Sequence, residues 1–177
     1  MSKAKVATIW LDGCSGCHMS FLDMDERLLE LAEVMDLVYS PLVDFKDFPE
    51  AVDVTLVEGA VSSEEDREKI IKVRARTRLL VALGDCAVAG NVPAMRNAFK
   101  VKEVIGRAYL EDDLTHPQAP HIHVPPLLVK VKPVHQVVKV DLVIPGCPPS
   151  ANIIHYAVTE LLAGRTPDLS NLTRFGA

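Results

Sequence analysis

The chain has no excess of basic residues and no apolar run long enough to cross a membrane. Lysine and arginine number 19 against 24 acidic residues, which gives a formal net charge of -5. Nucleic acids and anionic membrane surfaces attract a basic footprint, so the charge argues against both as partners. The apolar run at residues 6–11 is too short for a signal-peptide core, and no twin-arginine pair precedes it. We therefore expect a cytoplasmic protein that does not enter a membrane.

Cysteine is also scarce, with four residues in all: Cys14, Cys17, Cys86 and Cys147. In a secreted chain, four cysteines could form two disulfides. Because no secretion signal is evident, we expect a reducing compartment instead. Cysteines in such a compartment more often bind metals or take part in catalysis.

The 177 residues, 49% of them hydrophobic, are enough for one domain with a sizeable core. Short apolar segments that predict buried strands alternate with segments of helical periodicity. The strands are expected at residues 6–11, 37–43, 53–57, 79–83 and 140–144, and the main helices at residues 19–35, 62–76 and 151–163. This alternation predicts an α/β fold, flavodoxin-like, with a parallel sheet of about five strands and helices on both faces. We expect a single domain over residues 1–177, with an irregular insertion at about 100–139 and a loosely structured tail at 165–177.

All four cysteines follow the carboxyl ends of predicted strands. Cys14 and Cys17 come after the first strand, Cys86 after the fourth and Cys147 after the fifth. Because the carboxyl ends of parallel strands share one edge of the sheet, the four thiols are expected to lie together. Four thiolates hold the irons of a 4Fe-4S cluster, and this is the chemistry that the pattern favours.

Two other sites remain as alternatives at this stage. A CxxC pair after a strand is also typical of a thiol–disulfide oxidoreductase, which would use Cys14 and Cys17. A structural zinc site would more often have a second close pair, whereas Cys86 and Cys147 lie far apart in sequence. The oxidoreductase alternative leaves the glycine and proline residues around Cys86 and Cys147 unexplained.

Three motifs in this order resemble the small subunit of nickel–iron hydrogenases: CSGC at residues 14–17, GDC at 84–86 and PGCPP at 145–149. The resemblance implies that Cys14, Cys17, Cys86 and Cys147 bind one proximal 4Fe-4S cluster beside a nickel–iron centre in a separate large subunit. It implies no catalytic residue and no complete active site in this chain. The related subunit of the quinone-reducing complex I has two adjacent cysteines in place of the first pair, so the CxxC spacing favours the hydrogenase.

The subtype is indicated by what long hydrogenase small subunits have and this sequence lacks. Those subunits have a twin-arginine signal and a C-terminal region that binds two further clusters. The chain resembles instead the short cytoplasmic type of bidirectional NAD-reducing hydrogenases. That type implies diaphorase partners that carry FMN and further clusters and reduce NAD. A related hydrogenase with another electron acceptor stays open. At Gly90-Asn91 the sequence departs from the pair of glycines that relatives often have.

A few other residues near strand ends could belong to the site. Glu58 follows the third strand and is expected to be a solvated acid or, alternatively, a residue on a proton path or subunit contact. His18 could donate to a cluster sulfur or lie exposed in the first turn of a helix. Trp10 is expected in the core or in a subunit interface. His121 and His123 are expected to be surface or interface groups, because no third metal ligand is evident near them.

Overall fold

The computed structural model describes residues 3–111 and 115–176. The elements in chain order are β1 (Ala4–Trp10), α1 (Gly16–Leu22), α2 (Arg27–Val34), β2 (Met35–Tyr39), β3 (Val52–Glu58), β4 (Val61–Ser63), α3 (Glu64–Ala75), β5 (Thr77–Leu83), α4 (Gly84–Ala89), α5 (Val101–Tyr109), β6 (Leu127–Lys132), β7 (Leu142–Ile144) and α6 (Ala151–Leu162). Short 3-10 helices span Pro93–Ala98 and Val134–Gln136. No helix in these described ranges is long and apolar enough to cross a membrane.

The predicted five-stranded parallel sheet is confirmed. Its strands lie in the order β2-β1-β3-β5-β7, and every pairing between neighbours is parallel. Counting only these five strands, the order is 2-1-3-4-5, which is the flavodoxin-like arrangement. In this arrangement the carboxyl ends of the strands form one edge of the sheet, where ligands bind in such folds.

Both faces of the sheet are buried, which explains why its strands are almost continuously apolar in sequence. Val6 and Val54 belong to the core on one face, with side chains from α1, α2 and α6. Other residues of the same two strands, such as Ala7 of β1 and Val57 of β3, belong to the core on the other face, with side chains from α3 and α4. Fully burying one such aliphatic side chain contributes about 1.5–3 kcal/mol. The buried sheet therefore fixes the positions from which the loops at its edges start.

The long helix predicted at residues 19–35 is wrong in extent, because two helices, α1 and α2, cover most of this range and Met35 begins β2. Between the helices, Asp25 adopts a left-handed conformation with φ 49°. Phe21 of α1 and Leu31 of α2 pack into the same core. The apolar stripe therefore continues from α1 into α2, and periodicity alone does not reveal the break between the two helices.

The helices predicted after the third and fifth strands are confirmed. Ser63 caps α3 by accepting a hydrogen bond from the amide of Asp66 (3.1 Å), and the Asp66 carboxylate accepts in return from the Ser63 amide (3.0 Å). This capping box satisfies amides that the first helical turn leaves unpaired. The last helix, α6, is followed by Gly164 with φ 74°, a left-handed residue of the kind that ends helices.

The segment at residues 100–139 is more regular than the sequence suggests. It contains α5 and β6, and β6 pairs with β4 in a small antiparallel sheet. Arg96 joins this sheet by donating to the carbonyl oxygens of Ser62 (2.9 Å) and Leu128 (3.0 Å). The prolines and histidines around β6 hide its pattern in the sequence. The tail after Arg165 has no helix or strand among its described residues.

Candidate functional site

The four cysteines lie together at the carboxyl edge of the sheet. Cys17 is in the first turn of α1 and Cys86 is in α4, while Cys14 and Cys147 lie in the loops after β1 and β7. Burial raises the pKa of the Cys17 thiol, and the negative charges of Glu58, Cys86, Cys14 and Cys147 raise it further. Each of the other three thiols is thus close enough to Cys17 to act on its charge.

The turn that carries Cys14 is held by the loop after β3. The Asp12 amide donates to the Ala60 carbonyl oxygen (3.1 Å), and the Ala60 amide donates to the Asp12 carbonyl oxygen (2.7 Å). Ser15 then takes a left-handed conformation with φ 68°. A Cβ at Gly16 would lie 3.2 Å from the Cys14 sulfur. The backbone of the CxxC turn therefore passes very close to the first thiol.

Gly84, which directly follows β5 and begins α4, brings a second segment against Cys17. Its φ of 79° is in the left-handed region, and a Cβ there would lie 2.2 Å from the Cys17 sulfur. Only a glycine has both the conformation and the space that this contact requires. The turn after β5 therefore makes room for a thiol of α1.

Asp85 joins the loops that carry Cys86 and Cys147. It is buried, its amide donates to the Gly146 carbonyl oxygen (2.9 Å), and its Oδ1 accepts from the Gly146 amide (2.7 Å). This reciprocal pair fixes the spacing of two cysteines that lie 61 positions apart. Asp85 belongs to the GDC motif, but no role for it was predicted from the sequence. The available signal was a carboxylate placed directly after a buried strand.

The tail also contributes to this edge. The Asp85 Oδ2 accepts from the Gly176 amide (2.7 Å), and the Thr173 hydroxyl donates to the Pro145 carbonyl oxygen (2.6 Å). The described residues of the tail form no helix or strand, yet two of them are hydrogen-bonded to these loops. In each of these bonds one partner is a backbone group, which almost any residue supplies, so the sequence pattern does not reveal the attachment.

The loop that carries Cys147 is shaped by its glycine and prolines. Gly146 has φ 137°, and a Cβ there would lie 2.6 Å from the Pro149 Cα. The Cys147–Pro148 peptide bond is cis. The Ser20 hydroxyl of α1 donates to the Pro149 carbonyl oxygen (2.6 Å). The loop is therefore closely attached to the helix that carries Cys17.

The turn after α4 supplies hydrogen bonds to two of the sulfurs. The Asn91 side-chain Nδ2 donates to the Cys147 Sγ at 3.5 Å. Burial raises the pKa of the Cys86 thiol, and a hydrogen bond from the Val92 backbone lowers it in part. In sequence, Gly90-Asn91 stands out only as a departure from relatives. These two donors were therefore not predicted.

His18 and Glu58 form a buried pair beneath the thiols, each with 2% of its surface exposed. The Glu58 Oε2 accepts from the His18 amide (3.0 Å) and contacts the His18 ring Nδ1. The other ring nitrogen contacts the Thr8 Oγ1 at 3.0 Å. The expectation of a solvated Glu58 is therefore wrong. So are both expectations for His18, since it is not exposed and both ring nitrogens bind groups other than sulfur.

The remaining residues named from the sequence lie at the surface. Trp10 is 46% exposed, so it is not a core residue, and its Nε1 donates to the Gly13 carbonyl oxygen (3.1 Å). His121 and His123 are both exposed, as expected. Within the described residues, no group of three or more His, Cys, Asp or Glu side chains is arranged to hold a single metal ion.

The donor set of this edge suits a cluster better than either alternative. A lone zinc ion needs its thiolates at about 2.3 Å from one point, whereas a cubane takes one thiolate for each of four irons. A redox-active CxxC would use Cys14 and Cys17 alone and would leave the two other thiols at this edge, Cys86 and Cys147, without a role. Gly16 and Gly84, which leave space beside the thiols, and the N–H donor of Asn91 fit a bulky, sulfur-rich group.

A family model described as "NADH ubiquinone oxidoreductase, 20 Kd subunit" matches residues 14–161. The match includes all four cysteines and runs from the CxxC turn almost to the end of α6.

Two curated relatives are hydrogenase subunits. The chain is 46% identical over 179 residues to the delta subunit of the NAD-reducing hydrogenase HoxS of Cupriavidus necator, covering 98% of this chain and 86% of the relative. It is 40% identical over 167 residues to a subunit of the F420-non-reducing hydrogenase vhu of Methanocaldococcus jannaschii. That match covers 93% of this chain and 58% of the relative, so the chain spans little more than half of the longer protein.

Solved structures agree with these relatives. A chain in the crystal structure of an NAD+-reducing NiFe hydrogenase in the H2-reduced state superposes with a TM-score of 0.94. It is 40% identical, and the match covers 98% of this chain and 99% of that one. A NiFeSe hydrogenase from Dm. baculatum has a TM-score of 0.62 at 20% identity, over 97% of this chain and 68% of that one, and supports the fold alone. The chain therefore belongs to the family of the 20 Kd subunit of NADH ubiquinone oxidoreductase, and within it to the small subunits of nickel–iron hydrogenases.

Proposed function

We propose that this hydrogenase small subunit relays electrons through one 4Fe-4S cluster held by Cys14, Cys17, Cys86 and Cys147. Its neighbours in the relay would be a nickel–iron site in the large subunit and a diaphorase that carries FMN and reduces NAD. Oxidation of one hydrogen molecule releases two protons and two electrons, and reduction of one NAD takes up two electrons and one proton. Two passages of one electron through this chain would therefore balance one turnover.

The observation that carries the proposal is the convergence of four thiols from three strand ends. Charges on Cys86, Cys14 and Cys147 all act on Cys17. A bound 4Fe-4S cluster would supply a one-electron carrier at this edge. The chain itself would supply four ligands, hydrogen bonds from the turn after α4, and loops fixed by Asp85. We assign no acid or base catalysis to its residues.

Exposed apolar side chains at and near the same edge support a partner that covers the site. Trp10 is 46% exposed at the end of β1, and Met19 is 56% exposed on α1. Val92 follows Asn91 and is 62% exposed. Several exposed apolar groups close together mark interaction sites on protein surfaces. We assign this surface to the large subunit, since an electron relay requires the two redox centres to be close.

NAD is proposed as the final acceptor on the strength of the relatives. The relative with 46% identity is described as a subunit of an NAD-reducing hydrogenase, and the structure with a TM-score of 0.94 comes from an NAD+-reducing enzyme. Other relatives are described as subunits of F420-non-reducing hydrogenases, a description that does not mention NAD. This chain matches only 58% and 56% of the length of two of them. We propose further that the chain is a single domain and that it acts in the cytoplasm.

The cluster can be tested on the full chain produced without oxygen. We expect a brown protein with about four irons and about four acid-labile sulfides per chain, and about one spin after reduction. A colourless chain without iron would contradict the proposal, and so would well over one spin per chain, which would require a second cluster.

The relay can be tested with Cys86→Ser in the purified complex. An alkoxide or hydroxyl oxygen is a harder ligand than a thiolate and binds iron less well in such a cluster. We expect a sharp fall in hydrogen-driven NAD reduction and loss of the normal 4Fe-4S signal. Exchange between hydrogen and deuterium needs no electron exit, so it should fall less if the subunits still assemble. A normal cluster signal with full NAD reduction would show that Cys86 is not a ligand.

A further inference from the structure

Asn91 is the one described side chain outside the four cysteines that is shown donating a hydrogen bond to a sulfur of the site. Its Nδ2 lies 3.5 Å from the Cys147 Sγ, although the two residues are 56 positions apart in sequence. That length is reasonable for an N–H donor to sulfur, which has a larger radius than oxygen. The turn after α4 therefore joins the loop after β7 through a thiol.

The conformation of Asn91 explains why few residue types can occupy this position. Its φ is 34°, in the left-handed region, and it follows Gly90 with φ 88°. Glycine and asparagine adopt this region most readily. Either would allow the turn, but glycine has no donor. Asparagine satisfies the backbone and also brings an N–H group to Cys147.

The hydrogen bond therefore runs from the turn after α4 to a thiol of the loop after β7. An N–H group stabilises negative charge on sulfur, and this is why hydrogen bonds to the sulfurs tune the potential of iron–sulfur clusters.

We propose that Asn91 raises the reduction potential of the cluster by donating its side-chain N–H to the Cys147 sulfur. The inference rests on the proposed function, since it requires a cluster at these cysteines. Reduction adds one electron and makes the sulfurs more negative, so the hydrogen bond is stronger in the reduced state. The proton stays on the Asn91 nitrogen throughout. Asn91 therefore acts through Cys147 and makes no bond to the iron.

The decisive measurements are made on the complex of this chain with its hydrogenase large subunit. Pulsed EPR of the reduced cluster, with asparagine labelled with ¹⁵N, should show a nitrogen coupling in the natural sequence that Asn91→Gly removes. A redox titration followed by EPR should give a more negative midpoint potential for Asn91→Gly. Asn91→Asp should shift it further, because that change replaces a donor with a negative charge. Glycine keeps the left-handed turn, so this variant removes the side-chain donor without straining the backbone.

Asn152→Asp is the matched control, because Asn152 lies on α6 and its Oδ1 accepts from Arg27 (2.7 Å), a contact that aspartate preserves. It should leave the midpoint potential unchanged. An Asn91→Gly complex with the same potential and the same nitrogen coupling as the natural sequence would overturn the inference while leaving the cluster proposal intact. A chain that binds no iron would overturn the cluster proposal itself, so the two failures differ in iron content.

Discussion

The central sheet is closed by ion pairs at the amino ends of its strands and by glycine turns and thiols at the carboxyl ends. At the amino edge, Asp53 accepts from the Lys5 amide (2.9 Å) and pairs with Arg78 (3.4 Å), and Arg74 pairs with Asp141 (2.6 Å). Surface pairs such as Asp53–Arg78 contribute about 0–1 kcal/mol each, and the Arg74–Asp141 pair is partly buried, with side chains 21% and 19% exposed. Other charged residues could replace them at little cost.

The carboxyl edge depends on groups that have no such substitutes. Among the described residues, its turns contain six with positive φ, namely Ser15, Gly59, Gly84, Gly90, Asn91 and Gly146. A residue with a side chain in the left-handed region costs about 1–2 kcal/mol. Strain of this kind collects where a site requires it. The charges of the amino edge therefore need only partners of opposite sign, whereas the carboxyl edge needs particular residues to position its four thiols.

The largest effect is expected where a glycine of the carboxyl edge contacts a thiol. Gly84→Ala would put a Cβ 2.2 Å from the Cys17 sulfur, at a φ of 79°. The chain should lose most of its iron, because Cys17 must move out of place. Iron content and the EPR signal of the reduced chain measure this loss.

Gly164→Ala is the matched control for this change. Gly164 has a similar φ of 74°, but a Cβ there would have nothing within 4 Å. It should cost about 1–2 kcal/mol of stability through backbone strain alone, with the iron content unchanged. Equal iron content in the two variants would mean that the close approach at Gly84 does not matter to the site.

A smaller effect is expected from the buried pair beneath the thiols. Glu58→Gln keeps the shape of the side chain but removes its negative charge. Both His18 contacts are made to one oxygen, Oε2, so an amide oxygen in its place would keep them only as weaker, uncharged hydrogen bonds. We expect a cost of about 1–3 kcal/mol. Chemical unfolding of the full chain measures the change in free energy. Unchanged stability would show that the pair contributes no more than an amide in its place.

The features of the carboxyl edge that depend on short sequence segments, namely the strands and the cysteines that follow them, can be predicted from the sequence. Buried strands are readable because both faces of the sheet are covered, so their apolar runs are continuous. Since parallel strands end at one edge, the positions of Cys14, Cys17, Cys86 and Cys147 after those strands were enough to bring them together. The predicted strands differ from the observed ones by only a few residues at their ends.

What the sequence could not predict depends on contacts between distant segments. In the sequence, Glu58 looks like an exposed acid at the end of a strand. In the structure it is buried and paired with His18 of α1, a contact between segments 40 positions apart. Asp85 and Asn91 act on a loop more than fifty positions away. The break between α1 and α2 was missed because both helices pack on one face of the sheet, so their stripes align.

The smallest effect is expected at the amino edge, where Asp141 joins β5 to the start of β7. Partial burial would raise the pKa of its carboxyl, but hydrogen bonds from the Leu80 amide (2.9 Å) and Arg74 (2.6 Å) outweigh burial and hold the pKa below its usual value. A carboxyl with a depressed pKa in the folded state stabilises the protein above its unfolded pKa, which is about 3.9. That stabilisation disappears as the pH falls through the folded pKa.

Asp141→Asn should therefore cost about 1 kcal/mol at pH 7, after allowance for screening by solvent. The difference from the natural sequence should begin to shrink below about pH 4, and it should disappear as the pH falls through the lowered folded pKa, where the natural carboxyl itself becomes protonated. Urea unfolding of the full chain without iron, between pH 7 and pH 3, measures both values without interference from acid release of a cluster. Asp36→Asn is the control, because Asp36 pairs only loosely with Lys3 at 3.6 Å and is 60% exposed. A loss at Asp141 that stayed constant down to pH 3 would mean that packing, and not the charge, holds the two strands together at this edge.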